Sequence, residues 1–261
     1  MGLYFTLLMT YGGACIGLFR PFYGFLIYVS FSILRPETLW FWSVPPGNYS
    51  RIIAVSFLVG WVLKGFGNFS LGNAKIPAVS LILYLAWACL SSFTSDDPEQ
   101  GFTFVDNASK IVIPAIAGAT LIRTRRDIEI LCLVIAASVG YVAYSLNMSY
   151  FSGYNRLTDV GFGAWDNNSI TIGLVAATGF TFFLGLFQKS VFRRYVLFFA
   201  SALLVHATLF SFSRGGMLGL IVTGLVSAYL IPKTKINIAL MVAGLLVASA
   251  MAGPEVVARF A

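Results

Sequence analysis

Residues 168–231 read NSITIGLVAATGFTFFLGLFQKSVFRRYVLFFASALLVHATLFSFSRGGMLGLIVTGLVSAYLI, which is three apolar runs divided by a basic QKSVFRR and by a short SRGG. Runs of roughly 17 to 25 apolar residues match the length that a helix needs to cross about 30 Å of hydrocarbon. They are too long and too uniformly apolar for the alternating strands of an outer-membrane barrel. The stretch therefore predicts consecutive membrane-spanning helices.

The whole chain has this character. It has 261 residues, of which 58% are hydrophobic and 10% charged, and its mean hydropathy is +0.85, whereas roughly 25% of the residues in a soluble domain are charged. No internal repeat or low-complexity linker divides it. We predict an all-α, polytopic transmembrane helical bundle forming a single domain over 1–261. Its ten spans are predicted at 3–19, 21–34, 51–66, 76–93, 108–122, 128–147, 168–187, 195–212, 216–231 and 236–252.

Charge sidedness predicts the orientation. Threading the spans alternately places eleven of the 17 basic residues on one side: Arg20, Lys64, Lys75, Arg123, Arg125, Arg126, Lys189, Arg193, Arg194, Lys233 and Lys235. The positive-inside rule makes that side cytoplasmic, with the N-terminus and the loops at 149–169 and 253–261 on the opposite, outer side. The first apolar run has no basic n-region and no cleavage site, which predicts a retained span rather than a signal peptide.

The SRGG turn is predicted to be tight. Only 38 residues separate Arg194 from Lys233, and two crossings need roughly 40 at about 1.5 Å each. Arg214 should therefore lie at the outer interface. Gly215 and Gly216 fit this turn, because glycine accepts the positive φ of a sharp reversal and lets another backbone or a ligand approach closely.

Arg214 has two interpretations. It could extend to lipid headgroups from a helix end, a frequent role for arginine in membrane proteins. Alternatively, it could face the bundle and bind an anionic group, because guanidinium binds phosphate oxygens bidentately. Ser213 would then add a hydroxyl, and the N-terminus of the next helix would add backbone N–H groups, which suits a phosphate or diphosphate.

Further candidates lie in the other predicted outer loops. Arg156, Asp166 and Asn168 occur among glycines and aromatic residues at 149–169, a composition found both in sugar-binding loops and in ordinary solvated loops. The DNNS segment is also expected to cap the seventh span. Lys110 could pair with Asp106 one turn earlier or lie near the same anion site.

The remaining reactive residues favour no catalytic or metal site. His206, the only histidine, could relay protons, but a neutral histidine hydrogen-bonded to a neighbouring helix is the favoured interpretation. It lies roughly 12 Å below Arg214 along the helix, a poor position for a general base that acts at the outer surface. Cys15, Cys89 and Cys132 fall inside apolar runs without metal-ligand spacing, and no basic patch with interleaved aromatics along the sequence predicts nucleic acid as a partner.

The order of several motifs resembles the O-antigen ligase and polymerase superfamily. These are GAWDNNSITIGL at 163–174, QKSVFRR at 188–194, LFSFSRGGMLGLIVTG at 209–224 and VVARF at 256–260. Residues 20–41, RPFYGFLIYVSFSILRPETLWF, are similar to those of exosortase-associated O-glycosylation ligases.

This resemblance implies transfer of a glycan from an undecaprenyl diphosphate carrier to an acceptor on the periplasmic face of a Gram-negative bacterial inner membrane. The acceptor would be lipid A core, a protein or another glycan, and no metal or cofactor is implied. Arg214 would contact the diphosphate, and Asp166 and Asn168 match a DNN element of the family.

The chain departs from the family pattern after its tenth predicted span. Members typically continue through a large periplasmic loop that bears a further arginine and a catalytic histidine, whereas this chain reaches only Arg259. The expectation is a fragment or a truncated, inactive protein that lacks its general base. Two other classes remain open: a transporter or flippase for an anionic lipid or small anion, with Arg214 and His206 lining its pathway, and a noncatalytic membrane scaffold.

Overall fold

A computed structural model describes residues 2–163 and 166–234, and these residues are helical without a β-strand element. The helices are α1 (Gly2–Phe19), α2 (Pro21–Leu34), α3 (Pro36–Leu39), α4 (Tyr49–Leu63), α5 (Lys75–Phe93), α6 (Pro98–Leu121), α7 (Arg125–Phe151), α8 (Arg156–Asp159), α9 (Asn167–Leu186), α10 (Val191–Phe210) and α11 (Arg214–Leu230). A 3-10 turn, Gly72–Ala74, precedes α5.

A helix lies at each of the first nine predicted spans. Within the described ranges, five helical segments are long and apolar enough to cross a membrane: α1, α5 with its preceding 3-10 turn, α7, α9 and α10. Helices α4 and α11 are apolar but shorter. The tenth predicted span at 236–252, the predicted loop at 253–261, and Lys235 and Arg259 lie outside the described residues.

Two predicted boundaries are corrected. Helix α6 begins at Pro98, well before the predicted start at 108, because Asp97 caps it: the Asp97 carboxylate accepts the Gln100 N–H at 3.1 Å, and proline suits the first helical position. The 149–169 segment is not wholly loop, since α7 continues to Phe151 and α8 forms a short helix within it.

The chain forms two compact units. Unit 1 consists of residues 1–32 and 40–131, and unit 2 of residues 33–39 and those from 132 onwards. In unit 1, α1 lies against α4 where both have glycine: a Cβ on Gly60 would be 2.3 Å from the Gly17 carbonyl oxygen. This backbone approach excludes any larger residue at Gly60.

In unit 2, a buried polar contact joins α7 to α10. The Asn147 amide donates to the Ala143 and Leu203 carbonyls at 2.7 and 2.9 Å, and its oxygen pairs with Nδ1 of His206. His206 is buried and stacks on Phe151, with ring centroids 5.3 Å apart. The predicted hydrogen bond from His206 to a neighbouring helix is therefore present.

Candidate functional site

The SRGG turn is as tight as predicted. Helix α10 ends at Phe210 and α11 begins at Arg214, so residues 211–213 make the whole connection. The predicted positive φ at Gly215 or Gly216 is wrong, because both belong to the first turn of α11, and the left-handed residue is Phe212, with φ 53°. Ser213 follows in an extended conformation that lets its Oγ cap α11 by accepting the Gly216 N–H at 3.1 Å.

The two glycines have different surroundings. A Cβ on Gly216 would lie 2.0 Å from Cγ2 of Thr171, so this glycine is the point at which α11 packs on α9. A Cβ on Gly215 would meet no atom closer than Ser213 Oγ at 4.0 Å, and Gly215 is exposed. The expected close approach is therefore confirmed for Gly216, whereas Gly215 leaves open space beside Arg214.

Arg214 is the first residue of α11, and its side chain is exposed. Its guanidinium takes part in no hydrogen bond or ion pair with the residues that the structure describes. The first hydrogen-bonded N–H groups of α11 are those of Gly216 and Met217, so the N–H groups of Arg214 and Gly215 have no acceptor within the same ranges. A helix start carries partial positive charge, and here a full positive charge is added to it.

The DNNS segment begins α9, as predicted. Asp166 is the N-cap, and its carboxylate accepts the Ser169 N–H at 2.8 Å. Hydrogen bonds from Ser169 to this carboxylate lower the pKa of Asp166. Asn168, in the first turn, is exposed.

The starts of α9 and α11 lie side by side. Because short connections join α9 to α10 and α10 to α11, α9 and α11 run in the same direction and begin at the same end of unit 2. The Asn167 amide donates to the Ser211 carbonyl at 3.1 Å, which ties DNNS to SRGG. Two helix starts and one guanidinium are thus collected in one place. The Asp166 carboxylate already compensates the start of α9, whereas the start of α11, with Arg214, is suited to binding an anion.

Sequence reasoning missed two asparagines that shape this site. Asn167 is the middle residue of the DNN element, whereas the sequence pointed to Asp166 and Asn168. Asn155 donates to the Phe210 carbonyl at 2.7 Å, so two side-chain amides bind successive carbonyls where α10 ends. Both contacts join residues far apart in the chain, and no local pattern indicates them.

Arg156 has a structural contact within unit 2. Its guanidinium donates to the Thr38 carbonyl and lies over the Phe162 ring, 5.7 Å from the centroid. Burial lowers the pKa of this guanidinium. Arg35 makes the reciprocal contact by donating to the Gly163 carbonyl, so the pair holds residues 35–38 against the 156–163 segment.

Lys110 belongs to unit 1, and its ammonium forms an ion pair with Asp106. Its backbone carbonyl accepts the Tyr28 hydroxyl at 2.6 Å. Of the two interpretations of Lys110, the structure contains the pairing along one helix. The predicted role of Lys110 in anion binding remains a prediction.

The cysteines and acidic residues form no further centre in the described parts of the chain. Cys15, Cys89 and Cys132 are free thiols. No group of three or more His, Cys, Asp or Glu side chains in residues 2–163 and 166–234 could hold a metal ion. The joined starts of α9 and α11 are the candidate functional site.

Comparison with known proteins shows where the chain belongs. Residues 2–157, more than half of the chain, match a family of unknown function, DUF5935. The chain belongs to this family. The DUF5935 match includes Lys110 and Arg156 but ends before DNNS and SRGG, so the paired helix starts lie beyond it. No curated protein and no solved structure matches the chain.

Proposed function

We propose that the chain is a membrane glycan ligase that transfers a glycan from an undecaprenyl diphosphate carrier to an acceptor, lipid A core or a protein hydroxyl, on the periplasmic face of a bacterial inner membrane. The observation that carries this proposal is the unpaired guanidinium of Arg214 at the joined starts of α9 and α11. The motif resemblance supplies the reaction class, and the geometry supports an anionic ligand.

The site suits a diphosphate for electrostatic reasons. A diphosphate carries several negative oxygens, and Arg214 offers a planar fork of donors that matches two of them. The free N–H groups of Arg214 and Gly215 point out of the helix start and add donors without a side chain in the way. During transfer, negative charge develops on the diphosphate leaving group, and preorganised donors of this kind stabilise it.

Ser213 and Gly216 support the site without being free to bind ligand. Ser213 Oγ is already used as the helix cap, and Gly216 is covered by Thr171. Asn168 is exposed in the first turn of α9, so we assign it to the glycan or the second phosphate. The structure provides a structural explanation for Arg156, through its contact with Thr38.

The membrane arrangement in this proposal is the predicted one, with about ten spans and the SRGG turn at the periplasmic surface. A diphosphate carrier lipid keeps its phosphates at the interface, where helix starts at the end of apolar segments can reach them. The transporter alternative has less support, because it needs His206 in a pathway, and His206 is buried against Asn147 and Phe151.

Binding of undecaprenyl diphosphate by the purified chain in lipid nanodiscs tests the proposal. We expect Arg214→Ala to weaken binding roughly ten- to hundred-fold, because hydrogen bonds to charged groups contribute about 1.5–3 kcal/mol. Arg51→Ala is the matched control, since Arg51 is also an exposed arginine in the first turn of an apolar helix, α4. The protein with Arg214→Ala should still insert and fold, and the same substitution in the complete protein should abolish glycan transfer in cells.

Two results would contradict this assignment. One is unchanged affinity in Arg214→Ala. The other is equal binding of undecaprenol, which lacks the diphosphate, because the site would then recognise only the hydrocarbon tail.

A further inference from the structure

One end of unit 1 collects exposed cations from several helix ends. They are Arg20, Lys64, Lys75, Arg123, Arg125 and Arg126, and we refer to these six as the basic end of unit 1. None of the six side chains forms a hydrogen bond or an ion pair with a residue of the described ranges. Asp127, which interacts with Arg123, and Glu129 in α7 offset part of this charge, and the remaining excess of positive charge attracts an external anion.

Close backbone contact places the first two cations together. Gly60 of α4 lies against the Gly17 and Leu18 carbonyls of α1, where a Cβ would be 2.3 and 2.7 Å from the two oxygens. Arg20 follows directly after α1 ends, and Lys64 directly after α4 ends. The C-terminal ends of α1 and α4, and with them Arg20 and Lys64, therefore lie close together.

Two hydrogen bonds bring the end of α6 close to the end of α4. The Trp61 indole donates to Thr120 Oγ1 at 2.8 Å, and the Asn68 N–H donates to the Thr120 carbonyl at 2.9 Å. Arg123 follows Thr120 by one turn, and α7 begins at Arg125. Helices α5 and α6 are joined by the short connection 94–97, so Lys75 at the start of α5 lies level with the end of α6.

Exposed aromatic rings lie among these cations. Phe19 is 68% exposed, Phe66 44% and Phe69 59%, and each is within a few residues of Arg20 or Lys64. The apolar, exposed sides of α1 and α4 begin less than one turn away, for example at Leu63, which is 75% exposed. A ligand for this end must therefore present anionic groups directly above hydrocarbon.

We propose that the basic end of unit 1 binds the headgroups of anionic phospholipids such as phosphatidylglycerol. The exposed phenylalanine rings place apolar surface directly beside the cations, and each nearby Lys or Arg adds attraction to an anionic membrane surface. The exposed apolar helix sides beside the cations favour lipid over nucleic acid. This inference requires that the helices span a membrane and is independent of glycan transfer.

Fluorescence quenching of Trp61 tests it in the full chain. Trp61 packs against Phe66, with ring centroids 5.0 Å apart, so it reports lipid at this end. Trp40, Trp42, Trp87 and Trp165 are replaced by Phe, and the protein is reconstituted in phosphatidylcholine with a low fraction of brominated phosphatidylglycerol or brominated phosphatidylcholine. We expect the brominated phosphatidylglycerol to quench several-fold more, with the excess reduced in about 0.5 M salt.

Helix α4 supplies a matched pair of variants. Lys64→Gln removes a cation at the basic end and should lower the preference for phosphatidylglycerol about five-fold. Arg51→Gln removes one at the opposite end of the same helix and should leave the preference unchanged. If the tryptophan replacements prevent folding, native mass spectrometry of the Lys64→Gln and Arg51→Gln proteins in a mixture of both lipids measures the same preference.

Three outcomes would overturn the proposal. Equal quenching by the two lipids removes the preference itself. An equal loss in Lys64→Gln and Arg51→Gln assigns the preference to net charge rather than to this end. Absence of a lipid preference together with saturable binding of a single-stranded RNA identifies nucleic acid as the ligand instead.

Discussion

The starts of α6 and α11 have the same cap but opposite charge. At α6, Asp97 accepts the N–H of the residue three positions later at 3.1 Å, and at α11 Ser213 does the same at 3.1 Å. Helix α6 then has Glu99 in its first turn, whereas α11 has no acidic residue there and begins with Arg214. The first arrangement complements the partial positive charge of a helix start, and the second adds to it.

The charge in the first turn distinguishes a helix start with a structural role from one suited to binding a ligand. At α6 the protein supplies its own negative charge, so the start is electrostatically complete. At α11 the cap hydrogen bond is kept, and the proposed diphosphate would supply the compensating charge. The neighbouring start of α9, joined through Asn167 and Ser211, resembles α6 in this respect, because the Asp166 carboxylate caps it.

The largest effect should come from the glycines that follow each start. Gly216→Ala would place a Cβ 2.0 Å from Thr171 and should lower the free energy of unfolding by about 1–3 kcal/mol, the usual cost of overpacking. Gly101→Ala in α6, where the nearest atoms of Ser92 are 3.0 Å away, should cost less.

Gly215→Ala is the control for these glycines, since its Cβ would point into open space. It should be neutral or slightly stabilising, because alanine favours helix. Unfolding in detergent with increasing dodecyl sulfate measures all three variants. A Gly215→Ala loss as large as that of Gly216→Ala would contradict the packing assignment.

Removing the cap of α6 or of α11 should lower the free energy of unfolding. Ser213→Ala and Asp97→Ala each remove one acceptor from a helix start and should each lower the free energy of unfolding by about 1 kcal/mol. The same unfolding experiment compares them. The two cap hydrogen bonds have the same length, but Asp97 also places a negative charge at a positive helix start. A loss in Ser213→Ala several-fold larger than in Asp97→Ala would therefore show that Ser213 has a further role.

Reversing the charge in the first turn of α11 and of α6 should change the free energy of unfolding in opposite directions. Arg214→Glu should raise the free energy of unfolding by about 0.3–1 kcal/mol at low salt, because it places an anion at a positive helix end, whereas Glu99→Arg should lower it by a similar amount. Arg214→Glu should also abolish diphosphate binding. A variant that is more stable yet does not bind is the signature of a charge retained for a ligand. Loss of stability in Arg214→Glu would show that the guanidinium already has a structural partner.

The smallest effect concerns the carboxylate that caps α9. The pKa of Asp166 is lowered in the folded protein by its hydrogen bonds from Ser169, so its contribution to stability is present above its ordinary value of 3.8 and is lost as the pH falls through the folded value. Asp166→Asn keeps a capping oxygen but cannot titrate. We expect the stability difference between the two proteins to be constant above about pH 5 and to disappear in strong acid. A difference that persists there would contradict the assignment.

Run length predicted most helices, because insertion into hydrocarbon depends on length and apolar composition, and both can be read directly from sequence. Run length did not predict the start of α6, because half of residues 98–107 are polar and the start depends on a local Asp-Pro cap instead. Apolar composition predicts that a segment is a helix in hydrocarbon, whereas a capping residue predicts where the helix begins.

The candidate site was only partly predictable. Its tight turn follows from the spacing of charges, but the left-handed residue does not: Ser213 must be extended to act as a cap, so the reversal falls on Phe212. The contact of Asn167 with Ser211 joins residues 44 positions apart and depends on how α9 and α11 pack. Such a contact is a property of tertiary structure and leaves no periodic signal in the sequence.

The reciprocal hydrogen bonds of Arg35 and Arg156 determine which fragments of this protein keep their contacts. Arg35 reaches the carbonyl of Gly163, and Arg156 reaches that of Thr38. The family match ends at residue 157, between these contacts, so a fragment cut there would keep one of the two contacts and lose the other. The region matched by the family and the region that folds as a unit therefore have different borders. A fragment that ends at the family border would lose the contact between Arg35 and Gly163.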